Sequence, residues 1–213
     1  MEKLMDTVVL MLEGSEVTLE IFCVTLVLAL PLGILAALGR LSPLSPLSRF
    51  MEFYIWLMRG TPLMLQLLFV YFALPMVGIL LPDIAAALLA FTLNYAAYFA
   101  EIYRGGILSI DRGQTEAAVA LGMPKGMCFL RIILPQVVKR VIPAVGNEVI
   151  TLVKDTSLAF TIAVAEMFTI AKQLSSANTT MVPLIAAGVF YYVFNFIVAW
   201  TMERIEKRLS YYE

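Results

Sequence analysis

Long apolar runs separated by short polar breaks dominate this chain. No charged residue occurs in Thr61–Pro82, Ile84–Ala100 or Met181–Met202, and Val17–Gly39 carries only Glu20. A helix needs about 20 apolar residues to cross a bilayer, so each run is long enough to span one. The pattern predicts membrane helices at about 16–40, 61–82, 84–106 and 181–203. A fifth is expected at about 132–154, although Pro135, Pro143, Glu148 and Lys154 break up its apolar character. Whether the fifth exists decides whether the two ends lie on the same side of the membrane.

Composition agrees with that pattern. Of 213 residues, 61% are hydrophobic and 15% charged, against about half and a quarter in soluble domains. We therefore expect an all-α integral membrane protein with one transmembrane domain over residues 1–213. The formal net charge of −1 gives no reason to expect a nucleic-acid partner. Charge placement says more. With the N-terminus outside, the inner loops and tail hold Arg40, Arg49, Arg104, Arg112, Lys125, Arg131, Lys139, Arg140, Arg204, Lys207 and Arg208. The outer segments keep only Lys3 and Lys172. Positive charge on the cytoplasmic side therefore orients the chain N-out and C-in across five spans. Met1–Asp6 makes a poor secretory leader, so no cleaved signal is expected. Cys23, in an apolar run, and Cys128, beside a cytoplasmic loop, are not expected to pair.

The polar breaks have recognisable punctuation. Leu41–Pro46 cannot be helical and makes a turn. The next helix, 47–58, offers Arg49 and Glu52 as an ion pair three residues apart. Thr61 and Pro62 read as the cap and first residue of a new helix. Arg59 before them reads as a membrane anchor or as a functional charge. Glu101 and Arg104 are expected to pair, and Gly105-Gly106 to end or bend the third span. Gln114–Leu121 predicts a short helix with an alanine-rich, nearly bare surface, stopped by Gly122 and Pro124.

That last stretch carries a specific spacing. Glu116-Ala117-Ala118, three residues, Gly122, nine residues, then Ile132-Ile133-Leu134-Pro135 resembles the EAA loop of ABC-importer permeases at every fixed position. Arg59-Gly60-Thr61-Pro62-Leu63 and the segment Asn94–Gly106 resemble the permeases for polar amino acids within that family. The resemblance implies the type I importer permease fold, a cytoplasmic coupling loop at about 110–127, and a bacterial cytoplasmic (inner) membrane location. It implies that Glu116, Ala117, Ala118 and Gly122 dock on a cytoplasmic ABC ATPase dimer. A second permease copy or homologue and an extracytoplasmic substrate-binding protein are the other implied partners.

The chain itself offers no catalytic apparatus. It has no phosphate-cradling Gly-x4-Gly-Lys-Ser/Thr, no histidine, no metal spacing and no nucleophile motif, so no cofactor is expected and ATP hydrolysis is assigned elsewhere. Its one dense polar group within the membrane is Asn147-Glu148 to Lys154-Asp155-Thr156-Ser157. Ionisable groups there are costly and usually mark a pathway. Glu148 and Asp155, seven residues apart, share a helix face about 10 Å apart along the axis. A broken helix bearing two acids suits a substrate with two positive groups. Asn94, Thr156 and Ser157 are the expected hold for its carboxylate. Structural alternatives are that Asp155 caps a helix from 157 to 174, that Glu148 pairs with an arginine of another chain, and that Asn94 bonds a neighbouring helix.

These expectations converge on the permease subunit of an ATP-driven importer for polar amino acids, with arginine, lysine or histidine favoured over glutamine or glutamate. A self-contained secondary transporter is the rival from another class, but no internal repeat is visible. A membrane enzyme would need a site that the sequence lacks.

Overall fold

The computed structural model describes residues 2–209. Met1, part of the segment read for a leader, lies outside the described residues. Nine α-helices follow one another among them: α1 (Glu2–Arg40), α2 (Ser45–Gly60), α3 (Leu63–Met76), α4 (Asp83–Leu108), α5 (Arg112–Ala120), α6 (Lys125–Cys128), α7 (Leu134–Asp155), α8 (Met167–Asn178) and α9 (Val182–Leu209). A π-helical turn, Phe129–Ile133, leads into α7, and a 3-10 turn, Thr156–Ile162, leaves it.

Three helical stretches are long and apolar enough to cross a membrane: Thr7–Arg40, Asp83–Leu108 and Val182–Leu209. The first begins well before the expected 16–40. The segment expected as a span at 61–82 is shorter in helix. α3 has 14 residues, too few to cross alone, and it turns 110° from α2 at Thr61-Pro62. Only α2 and α3 together match a span in length and character. α7 has 22 residues, enough to cross, and its polar residues account for its weak hydropathy.

Packing centres on α1 against α4, which have the most extensive contact in the fold. Ala86, Ala87, Ala90, Ala96, Ala97 and Ala100 are all buried on α4. Such small side chains let helix backbones approach closely where water supplies no driving force between them. Gly33 completes this contact, since a β-carbon there would lie 2.7 Å from Phe99 Cβ. Phe91, Tyr95 and Phe99 of α4 then fill the centre with Ile21, Leu152 and Val153.

Four local expectations are corrected. Glu52 pairs with Arg40 of α1 at 2.8 Å rather than with Arg49, which ties α2 back to α1. Thr61 closes α2 instead of capping α3: its hydroxyl donates to Leu57 O at 2.8 Å, and Pro62 precedes α3 without a side-chain cap. Gly105-Gly106 does not end the span, because α4 runs through both to Leu108. Gly106 instead admits Val141, whose Cγ1 would lie 2.2 Å from a β-carbon at that position. Finally, there is no helix from 157 to 174 for Asp155 to cap. The 3-10 turn occupies Thr156–Ile162, and α8 is capped by Glu166.

Candidate functional site: an exposed loop helix and a two-acid helix face

α5 forms in the loop between α4 and α7 because Asp111 caps it, accepting from Gly113 N at 2.6 Å. It starts two residues earlier than Gln114. Glu116 therefore sits mid-helix, and its charge is not at the helix start, where the dipole would favour it. The end is as expected. Gly122 has φ +77°, and Met123 N reaches back to Ala118 O at 3.0 Å, the backward bond of a glycine-terminated helix.

The alanines divide into two groups. Ala118 is buried against this chain's own Cys128, Ile133 and Val137, so it anchors α5. Glu116, Ala117 and Ala120 face out. Val119 and Leu121 face out with them, Leu121 at 85% exposure. These two apolar side chains were overlooked in the sequence, although a leucine in a short polar loop helix is itself a docking signal. The loop's two arms are joined beneath α5. Arg140 of α7 donates to Ser109 O and, at 3.0 Å, to Ser109 Oγ, while Val141 packs into the space left by Gly106.

The polar group within the fold is built on α7. The helix is continuous from Leu134 to Asp155, through Pro143, so Glu148 and Asp155 do share one face. Beyond Asp155 the helix tightens into the 3-10 turn. Tyr95 of α4 donates to Asp155 Oδ2 at 2.7 Å and is itself 2% exposed, so the carboxylate is held against α4. Lys154 points outward. Glu148 is half-buried and has no hydrogen bond or ion pair among the described residues. Asp155 and Arg59 lie within electrostatic reach of it.

The remaining residues of the expected group are bonded to the protein. Both amide hydrogens of Asn94 are used, donating to Met58 O at 3.1 Å and Gln66 Oε1 at 2.9 Å. Gln66 Nε2 in turn donates to Met58 O, Thr61 O and Thr61 Oγ1. Asn94 thus pins the α2–α3 bend. The Thr156 hydroxyl donates to Val153 O and that of Ser157 to Lys154 O.

A third acid was missed. Glu166 is 0% exposed and accepts from Phe168 N, Thr169 N, Thr169 Oγ1 and Tyr191 OH, all between 2.7 and 2.8 Å. It fixes α8 to α9, and an acid three residues before Thr169 was the available capping signal.

An exposed, glycine-stopped loop helix on a long helical bundle, with two acids on one face of α7, is the arrangement expected of the membrane permease subunit of an ABC importer. The chain belongs to the family "Binding-protein-dependent transport system inner membrane component", which matches residues 29–211. It is 41% identical over 201 residues to the "Arginine transport system permease protein ArtQ" of Bacillus subtilis (strain 168), covering 93% of this chain and 92% of that one. It is 34% identical over 209 residues to the "Putative glutamine transport system permease protein GlnP" of Rickettsia bellii (strain RML369-C), covering 97% and 96%. The fold superposes with a TM-score of 0.89 on the "Crystal structure of an amino acid ABC transporter with histidines", at 31% identity and 97% coverage of each chain. The type I permease fold is therefore established. In this family the ATPase is a separate subunit.

Proposed function

We propose that this chain is the permease subunit of an importer for polar amino acids, with a cationic amino acid as its substrate. Glu148 carries the reading. A half-buried carboxylate without a partner is costly in a membrane protein, and a substrate cation removes that cost. Asp155, held in place by Tyr95, supplies the second acid one face-repeat away. Together they suit a side-chain cation and an α-ammonium, while a neutral amino acid satisfies only one. Asn94, Thr156 and Ser157 border the seat and fix its shape through their own bonds. The arginine name of the 41%-identical relative and the histidines of the matching structure support the cationic reading. The glutamine name of another relative favours the alternative, a neutral substrate in the same site.

On this reading the single domain crosses the bacterial cytoplasmic membrane five times: through α1, the bent α2–α3 pair, α4, α7 and α9, N-out and C-in. Two permeases form the pathway. Glu116, Ala117, Ala118 and Gly122 build the docking helix for an ATPase dimer, and an extracytoplasmic binding protein delivers the amino acid. ATP binding then exposes the seat to each side in turn. The test is uptake by proteoliposomes of the whole complex, comparing L-arginine with L-glutamine. Wild type should prefer arginine, and Glu148→Gln should lose that preference. Preference for glutamine, or unchanged selectivity in Glu148→Gln, would overturn the two-acid seat.

A further inference from the structure

The seat on α7 answers the positive groups of an amino acid and leaves its carboxylate without a donor. The three donors expected to hold it are already used: both Asn94 hydrogens, the Thr156 hydroxyl and the Ser157 hydroxyl. One cation near the seat is held only loosely. Arg59, at the end of α2, lies 3.9 Å from Glu101 Oε1, too far for a hydrogen bond. Glu101 gives its fork to Arg104 instead, at 2.6 and 2.9 Å. The Arg59 guanidinium rests 5.4 Å from the centroid of the Tyr98 ring and makes no hydrogen bond among the described residues.

Its placement is built rather than incidental. Asn94 and Gln66 both hold the carbonyl of Met58, the residue before it. Tyr98 neighbours Tyr95 on α4, with ring centroids 6.4 Å apart. Two adjoining tyrosines therefore lie between Asp155, bonded to the first, and Arg59, stacked on the second. Arg59 also lines a cavity of about 240 Å³ with Arg40, Glu52, Glu101 and Arg104. Three guanidiniums there face two carboxylates, leaving one positive charge uncompensated.

We infer that Arg59 binds the α-carboxylate of the transported amino acid. This rests on the two-acid reading of Glu148 and Asp155 and supplies its missing counterpart. A guanidinium offers a planar fork matched to a carboxylate, and one with no better acceptor loses little by turning to the substrate. Arg59 then selects for amino acids as a class, whatever their side chain, while the acids select among them.

The test compares L-arginine with agmatine, the same molecule without its carboxylate, in equilibrium binding to the purified permease–ATPase complex without binding protein. Wild type should bind arginine about tenfold to hundredfold more tightly than agmatine, the range of a charge-assisted pair. Arg59→Gln should bring the two within about threefold, through weaker binding of arginine and with no weakening of agmatine binding. Should that variant fail to assemble, Arg59→Lys, which cannot form the fork, should still lower the ratio severalfold. Glu101→Gln should keep the discrimination, because it loosens Arg59 and Arg104 and leaves the Arg59 guanidinium in place. An undiminished ratio in Arg59→Gln or Arg59→Lys overturns the inference, as does equal loss in Glu101→Gln, the mark of a purely structural ion pair. If wild type binds both ligands alike and Glu148→Gln weakens both, the Arg59 inference fails and the acid seat stands. If wild type binds neither, the seat fails and the inference with it.

Discussion

Gly106→Ala should separate the two arms of the α5 loop and thereby weaken coupling. A β-carbon at Gly106 would sit 2.2 Å from Val141 Cγ1, well inside van der Waals contact and against a short, branched side chain that cannot swing away. Overpacking of this kind costs about 1–3 kcal/mol. For a chain of this length that corresponds to a fall of roughly 2–12 °C in melting temperature. The strain falls where α4 delivers the chain to α5 and α7 receives it back, next to the Arg140–Ser109 bond. ATP hydrolysis stimulated by loaded binding protein should therefore fall along with thermal stability of the complex. Val141→Ala removes the clashing atom, so Gly106→Ala with Val141→Ala should recover most of both. The reasoning is refuted if Gly106→Ala melts and hydrolyses like wild type, or if the second change gives no recovery.

Other perturbations test separate parts of the structure. Leu121→Asp, on the exposed end of α5, should leave the permease folded in the membrane yet reduce ATPase binding at least tenfold in a pull-down titration; unchanged retention would remove α5 as the docking surface. Gly122→Val forces a branched residue to φ +77°, a strain of about 1–2 kcal/mol, and should reduce stimulated hydrolysis, whereas normal hydrolysis with normal expression would show that the turn is dispensable. Single cysteines at Ser45 and Gln114, in a background without Cys23 and Cys128, should react only with reagents that enter the cytoplasm, and one at Gly78 only from outside; labelling at Gln114 from outside would invert the topology.

The helices at either end and α4 were legible because lipid demands long uninterrupted apolar runs, and such runs have few readings. The α2–α3 bend was not. Thr61-Pro62 signals a break, but the 110° angle depends on Asn94, Gln66 and Met58 meeting from three separate stretches of chain. Gly106 was misread for a related reason. A glycine near a helix end suggests a stop, while its use here depends on a helix more than thirty residues later. On α7 the spacing of Glu148 and Asp155 placed both on one face correctly. Hydropathy could not say that Tyr95 would hold one and leave the other free. Asn94 and Thr156 were singled out as polar residues in apolar surroundings, which sequence reveals; where their hydrogens go is a tertiary fact. Glu166 was missed because its partners lie in α8 and α9 and its surroundings resemble ordinary apolar helix.

Accumulation of radiolabelled L-arginine in proteoliposomes bears most directly on the central claim, that this chain is the pathway of an ATP-driven importer. The permease should be reconstituted with its ATPase and supplied with binding protein outside and ATP or no nucleotide inside. Accumulation above the external concentration should occur only with ATP and should vanish when the ATPase is left out. Accumulation by the permease alone, driven by a proton or sodium gradient, would contradict the account and identify a self-contained transporter.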